Sequence, residues 1–202
     1  MTAPPPRGFD KRAYRERTGE AQALMAEFGV DVMLLTTEPE IRYFTGFQTP
    51  FWHSPTRPFF LVLPARGNPI AVVPSIAEPA MAATWLRDVR SWPSPRPTDE
   101  GLSSVLDALV EIGGERATLG MPKGPETHVR MPLGDLKRLI DALPDGWRTT
   151  EAGFILSWLR MVKSDAEVAK IAHVCDTVSG VFADLPEFVH QGLSEREVFR
   201  RF

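Results

Sequence analysis

A single cysteine, Cys175, stands in 202 residues, so neither an intramolecular disulfide nor a thiolate metal cluster can form. Its helical pattern with Val174 and Val178 close by reads as a buried thiol. Charge is not in excess either: 23 Lys and Arg face 26 Asp and Glu, for a net charge of −3 and a pI of 5.8. Nothing in that balance calls for nucleic acid or an anionic membrane as partner. The basic cluster Arg7, Lys11, Arg12, Arg15 and Arg17 is offset by Asp10 and Glu16 and reads as a solvated helix face. No stretch approaches the ~20 apolar residues that span a bilayer. The start, Met1-Thr-Ala-Pro-Pro-Pro-Arg7, lacks the apolar run of a signal peptide, so a cytoplasmic location is expected.

Chemical motifs are scarce as well. There is no G-x-S-x-G elbow, Walker loop, G-x-G-x-x-G or H-E-x-x-H, and His53, His128, His173 and His190 stand far apart without carboxylates at ligand spacing. His173 and Asp176 lie three apart on a helical pattern, but two ligands from one helix need others to close a metal site. They read as surface or packed polar residues.

The chain does carry strong periodicity. Residues 10–28 place Tyr14, Ala21, Leu24, Met25 and Phe28 near helical spacing, with Gly29 as a stop. Residues 30–36 read as a buried strand. Strand candidates follow at 42–47, 59–63 and 70–73, spaced closely enough for antiparallel pairing. From residue 76 helix and strand alternate: helices at 76–86, 102–112 and 133–143, strands at 89–92, 117–121 and 147–150. Leu102, Val105, Leu106, Leu109 and Ile112 form one apolar stripe, and Leu133, Leu136, Leu139, Ile140 and Leu143 another. Both belong in a core. The fold class is α/β, a mixed sheet flanked by helices.

Residues 153–163 read as a connector. Ser164 with Glu167, and Ser194 with Glu197, are capping boxes that start two further helices. The first carries a stripe from Val168 to Leu185 with little of its own domain to pack against. The second begins only eight residues before the chain ends at Phe202, as expected of a piece of something longer.

One segment stands out as a candidate site. Glu38-Pro-Glu-Ile-Arg-Tyr-Phe-Thr-Gly-Phe47 leads into Gln48-Thr-Pro-Phe-Trp-His-Ser-Pro-Thr-Arg-Pro58, in which three prolines stiffen a loop bearing Phe51, Trp52, His53 and Arg57. Such a loop can line a pocket for a small molecule or peptide, or anchor a subunit contact. The competing reading is a hairpin connection that folds its aromatics onto its own sheet.

Arg42-Tyr-Phe-Thr-Gly-Phe47, Arg160-x-x-Lys163-Ser-Asp-x-Glu167 and Gly192-Leu-Ser-Glu195, in that order, resemble segments of the creatinase and Xaa-Pro peptidase group. That group pairs an N-terminal domain of ribonuclease H-like topology with a C-terminal "pita-bread" metallopeptidase domain. Glu40 departs from the Asn usual there. The resemblance implies a tail at 1–8, disordered, an N-terminal domain at 9–153, and at 154–202 a linker with the truncated first helices of the catalytic domain. It implies a homodimer, with the Trp52 loop reaching an active site, often the neighbouring subunit's, and a peptide or small amide as substrate. The family's pair of divalent metals (Mn, Co or Zn) is bound by two Asp, one His and two Glu, all beyond the position matching Phe202. No catalytic, cofactor or metal residue therefore carries over, and the 202 residues alone are expected to be inactive. A binding module that has lost the metal ligands, or part of a creatinase-like amidinohydrolase, remains the alternative.

Overall fold

The computed structural model describes residues 4–54 and 57–202. They form two compact units, Phe9–Met161 and a second made of residues 4–8 with 162–202.

In the first unit, a six-stranded sheet holds β1 (Val32–Leu35), β2 (Phe60–Pro64), β3 (Ile70–Pro74), β4 (Asp88–Trp92), β5 (Thr118–Met121) and β6 (Arg148–Glu151). Their spatial order is β4-β3-β2-β1-β5-β6. β2 runs antiparallel to both its neighbours and every other pairing is parallel, so β5 returns beside β1. Asp31 fixes that return: its carboxylate accepts from the Thr118 N–H at 2.7 Å, and its own N–H donates to Thr118 O at 3.0 Å.

Alternating residues of the central strands feed two cores. Met33, Leu35, Leu61, Leu63, Ala71 and Val73 pack on one face with α1 (Lys11–Glu27), α2 (Glu38–Thr45), α3 (Glu78–Ala82) and α6 (Gly153–Met161). Val32, Leu34, Phe60, Val62, Ile70 and Val72 pack on the other with α4 (Leu102–Gly113) and α5 (Leu133–Asp141). Because helices cover both faces, β1, β2 and β3 are buried along their whole length and read as continuous apolar runs. Each large side chain sealed there contributes about 1.5–3 kcal/mol.

One expected strand is a helix. Residues 42–45 close α2, Gly46 ends it and Phe47 follows outside any strand. Thr37 and Glu40 form a capping box, Pro39 occupies the first turn, and Ile41, Phe44 and Thr45 make one buried helical face. The Glu40 carboxylate accepts from Thr37 N at 3.1 Å and Thr36 N at 3.3 Å, which gives this departure from the family pattern a structural use. The expected helix at 76–86 is short, a 3₁₀ turn followed by α3. On α5 only Leu139 is fully buried, and Leu133, at the helix start, is 83% exposed.

The stretch read as a connector is helical over Gly153–Met161, with Ile155 and Leu156 buried in the first unit's core and Tyr43 Oη donating to Leu159 O at 3.2 Å. The second unit holds α7 (Asp165–Phe188) and α8 (Glu195–Arg201), both opened by the capping boxes read from sequence. Neither buries a residue. Cys175 is accordingly exposed, contrary to the reading as a buried thiol, since the stripe around it finds no core in its own unit. Of the N-terminal tail, residues 1–3 lie outside the described residues, and 4–8 carry no helix or strand.

Candidate functional site

The aromatic loop leaves α2 through Gly46, whose φ of 75° supplies the left-handed turn that ends the helix, its N–H donating to Arg42 O at 2.8 Å. Any Cβ at Gly46 would run into the Tyr14 hydroxyl, so both conformation and space demand glycine. Thr49 Oγ1 then accepts from Phe51 N at 3.2 Å and opens a 3₁₀ turn over Pro50–His53.

That turn aims its aromatics in different directions. Trp52 is 7% exposed and packs on Phe59 (ring centroids 4.7 Å apart) and Phe47 (5.7 Å). Its Nε1 is the buried side-chain polar atom without a hydrogen-bond partner among the described residues, whereas the buried Trp85 donates to Phe44 O at 2.7 Å. Phe51 and Arg57 are half-buried, with the guanidinium 5.8 Å from the Phe51 ring centroid. His53 is exposed, and its imidazole has no hydrogen-bond partner among the described residues. Pro55, one of the three stiffening prolines, lies outside them.

A second loop, residues 122–132 after β5, meets the first. The Arg130 N–H donates to Thr36 Oγ1 at the end of β1 at 2.7 Å, and its Nη2 donates to Ser54 O in the aromatic loop. Burial pushes the Arg130 guanidinium below the usual arginine value. Each loop also contains a non-glycine residue in the left-handed region, Arg57 at φ 63° and Glu126 at φ 60°. Such conformations persist where surrounding contacts impose them, and they concentrate at functional sites.

The loops therefore gather beyond the C-terminal ends of the parallel strands β1 and β5, where open α/β sheets bind ligands. The arrangement offers an exposed imidazole, guanidinium groups and an aromatic face: equipment for binding and orienting an anion or an apolar side chain. No three of His, Cys, Asp and Glu come together as metal ligands among the described residues, so a divalent metal pair does not fit the donor set here. Arg130 and Thr36 were not singled out from the sequence. Partners 94 residues apart leave no local signal.

Residues 17–162 match the family model described as Creatinase/Prolidase N-terminal domain. The probable dipeptidase PepE of Mycobacterium tuberculosis is 28% identical over 197 residues, covering 95% of this chain and 48% of that protein. The crystal structure of dipeptidase PepE from Mycobacterium ulcerans superposes with a TM-score of 0.73 at 28% identity, over 95% of this chain and 48% of that one. A prolidase from Thermococcus sibiricus shares the fold, with a TM-score of 0.78 at 23% identity over 96% and 48% of the two chains. The chain thus spans about half the length of these relatives.

Proposed function

Because the chain belongs to the Creatinase/Prolidase N-terminal domain family, we propose that it is the substrate-gating and self-associating domain of a Xaa-Pro dipeptidase-like or aminopeptidase-like hydrolase. The observation that carries this reading is the alignment with dipeptidase PepE, which takes in 95% of this chain but 48% of the relative. The chemistry of bond cleavage, including any pair of divalent metals that would activate water, belongs to the other half of such an enzyme. A cytoplasmic location and a peptide or small amide as substrate accompany the proposal. No helix among the described residues is long and apolar enough to cross a membrane.

What this chain's own residues would do is recognise and enclose. Trp52, clamped between Phe47 and Phe59, anchors the loop. Phe51, His53 and Arg57 are then presented on a stiff support, where an apolar side chain and a carboxylate can be held by ring contact and by the guanidinium fork. The Arg130 bonds to Ser54 and Thr36 tie the loop to the sheet, and preorganisation of this kind affects rate when positioning is lost.

The test is His53→Ala and Arg57→Ala in the product of the complete gene, assayed on Xaa-Pro dipeptides with melting temperature in parallel. The expected result is kcat/KM lowered at least about tenfold at an unchanged melting temperature. Wild-type kinetics in both variants would overturn the gating role. A complete gene product that carries no metal-ligand set and binds peptides without hydrolysing them would favour the binding-module alternative.

A further inference from the structure

Strands β4 and β6 end the sheet, and a terminal strand presents a row of main-chain groups with no neighbour to take them up. β4 pairs with β3 alone, and its main-chain groups have no other partner among the described residues. The segment that follows turns over the α4 face: Glu100 accepts from Trp92 Nε1 at 3.2 Å, Ser94 Oγ at 3.1 Å and Arg96 N at 2.7 Å. That closure keeps the chain on the face of the sheet and leaves β4 as its boundary.

The charges on this edge specify a partner. In an antiparallel ladder, directly opposed residues either both turn their main-chain groups toward the neighbouring strand or both turn them away. Two copies of one strand related by a twofold axis therefore oppose residues whose numbers differ by an even amount. Asp88 and Arg90 are two apart on one face of β4. With the axis at Val89, each copy's Asp88 stands opposite the other's Arg90. An axis at Arg90 would instead set Arg90 against itself, and an axis at Asp88 would set Asp88 against itself. Like charges directly opposed are destabilising, and of these three registers only the axis at Val89 opposes unlike charges. β6 offers no such match, since its Arg148 and Glu151 are three apart and cannot be opposed.

We propose that a second copy of this chain docks antiparallel on the β4 edge, with the twofold axis at Val89, joining two six-stranded sheets into one. This rests on the self-association proposed above and gives it a geometry. Arg90 is placed for both roles. Its Nε and Nη2 hold the Asp88 of its own strand at 3.1 and 2.9 Å, and Nη2 also reaches Glu111 at 2.8 Å. Nη1 has no partner among the described residues and is left for the Asp88 of the second copy. The Asp88 side chain is 41% exposed and can be reached. Helices α3 and α4, which touch β4 on its two faces, approach their counterparts across the same axis and add contact area.

The experiment is sedimentation equilibrium of the 202-residue chain, of Asp88→Arg, of Arg90→Asp, and of their equimolar mixture, with circular dichroism to check folding. The wild type is expected to dimerise, and each variant alone to bind itself roughly tenfold more weakly or worse, because both cross-strand pairs become like-charged. The mixture recreates opposite charges at both pairs, so a heterodimer of near wild-type affinity should return. Hydrogen exchange of the Val89 and Ser91 amides in the wild type gives a readout independent of either variant's folding, and their protection should rise with protein concentration. A wild type monomeric up to about 1 mM would overturn self-association and this interface together. A dimer untouched by both variants, variants that the mixture does not rescue, or β4 amides whose protection ignores concentration would overturn the interface alone.

Discussion

The two units of this chain use the same local grammar to opposite ends. α1 and α7 are both long, both open on a side-chain cap, from Asp10 and Ser164, and both carry apolar residues at helical spacing. In the first unit that spacing becomes burial: Ala21 and Met25 are 0% exposed. In the second, Val168, Ile171, Val174, Val178 and Phe182 are each at least 41% exposed. Capping boxes and periodicity therefore define where a helix forms, whereas stability depends on what lies opposite the stripe.

The comparison breaks most severely at residues 153–161, which sequence assigns to a connector and the structure to a core helix. A chain ending at Met161 should unfold cooperatively in urea. One ending at Gly153 loses the burial of Ile155 and Leu156 and should be less stable by about 4 kcal/mol or more. Equal midpoints would show that α6 contributes nothing to the first unit. Within the full chain, Phe44→Ala empties a fully buried site and should cost about 3–5 kcal/mol, while Phe182→Ala, at 57% exposure, should stay within about 0.5 kcal/mol. Similar losses from both would erase the contrast between the units.

A finer test addresses the loop junction. Arg130→Ala removes the charged donor on Ser54 O and should lower stability by about 1–2 kcal/mol while speeding proteolysis of the aromatic loop. The smallest effect belongs to α8. The Glu197 carboxyl is held below the usual carboxylate range by the Ser194 backbone and hydroxyl hydrogen bonds. A carboxylate depressed in the folded state stabilises above its unfolded pKa, and that help disappears as pH falls through the lower folded value. Helicity at 222 nm should therefore be lower in Ser194→Ala than in wild type at pH 7, with the difference narrowing in acid to what the Ser194 Oγ cap on the Glu197 N–H contributes by itself. A constant difference across the titration would separate the cap from the Glu197 charge.

Most of the architecture was legible because apolar runs and alternation record burial directly. Val32 to Leu35 is continuous apolar sequence because helices cover both faces of the sheet. α2 was misread because Tyr43, Phe44 and Phe47 suit a strand, while the deciding signals, Thr37 with Glu40 and the left-handed Gly46, lie at its ends. The loop of Phe51 to Arg57 was visible from composition. The inward turn of Trp52 was not, since neighbouring aromatics in a 3₁₀ turn divide between core and surface in three dimensions only. Arg130 escaped notice for a related reason: its partners are supplied by β1 and by a loop far upstream.

The strand order carries a consequence for biosynthesis. β1 occupies the middle of the finished sheet, yet of its two neighbours β2 follows it within the next thirty residues or so, and β5 only at Thr118. At translation rates of about 5–20 residues per second, Val32–Leu35 waits on the order of ten seconds on the ribosome with one edge bare. That bare edge is Val-Met-Leu-Leu, with no charge to discourage another nascent chain from pairing with it. Yield of this protein in cells should therefore be governed by how quickly residues 36–117 are synthesised, and by what shelters β1 in the meantime, more than by the stability of the completed sheet.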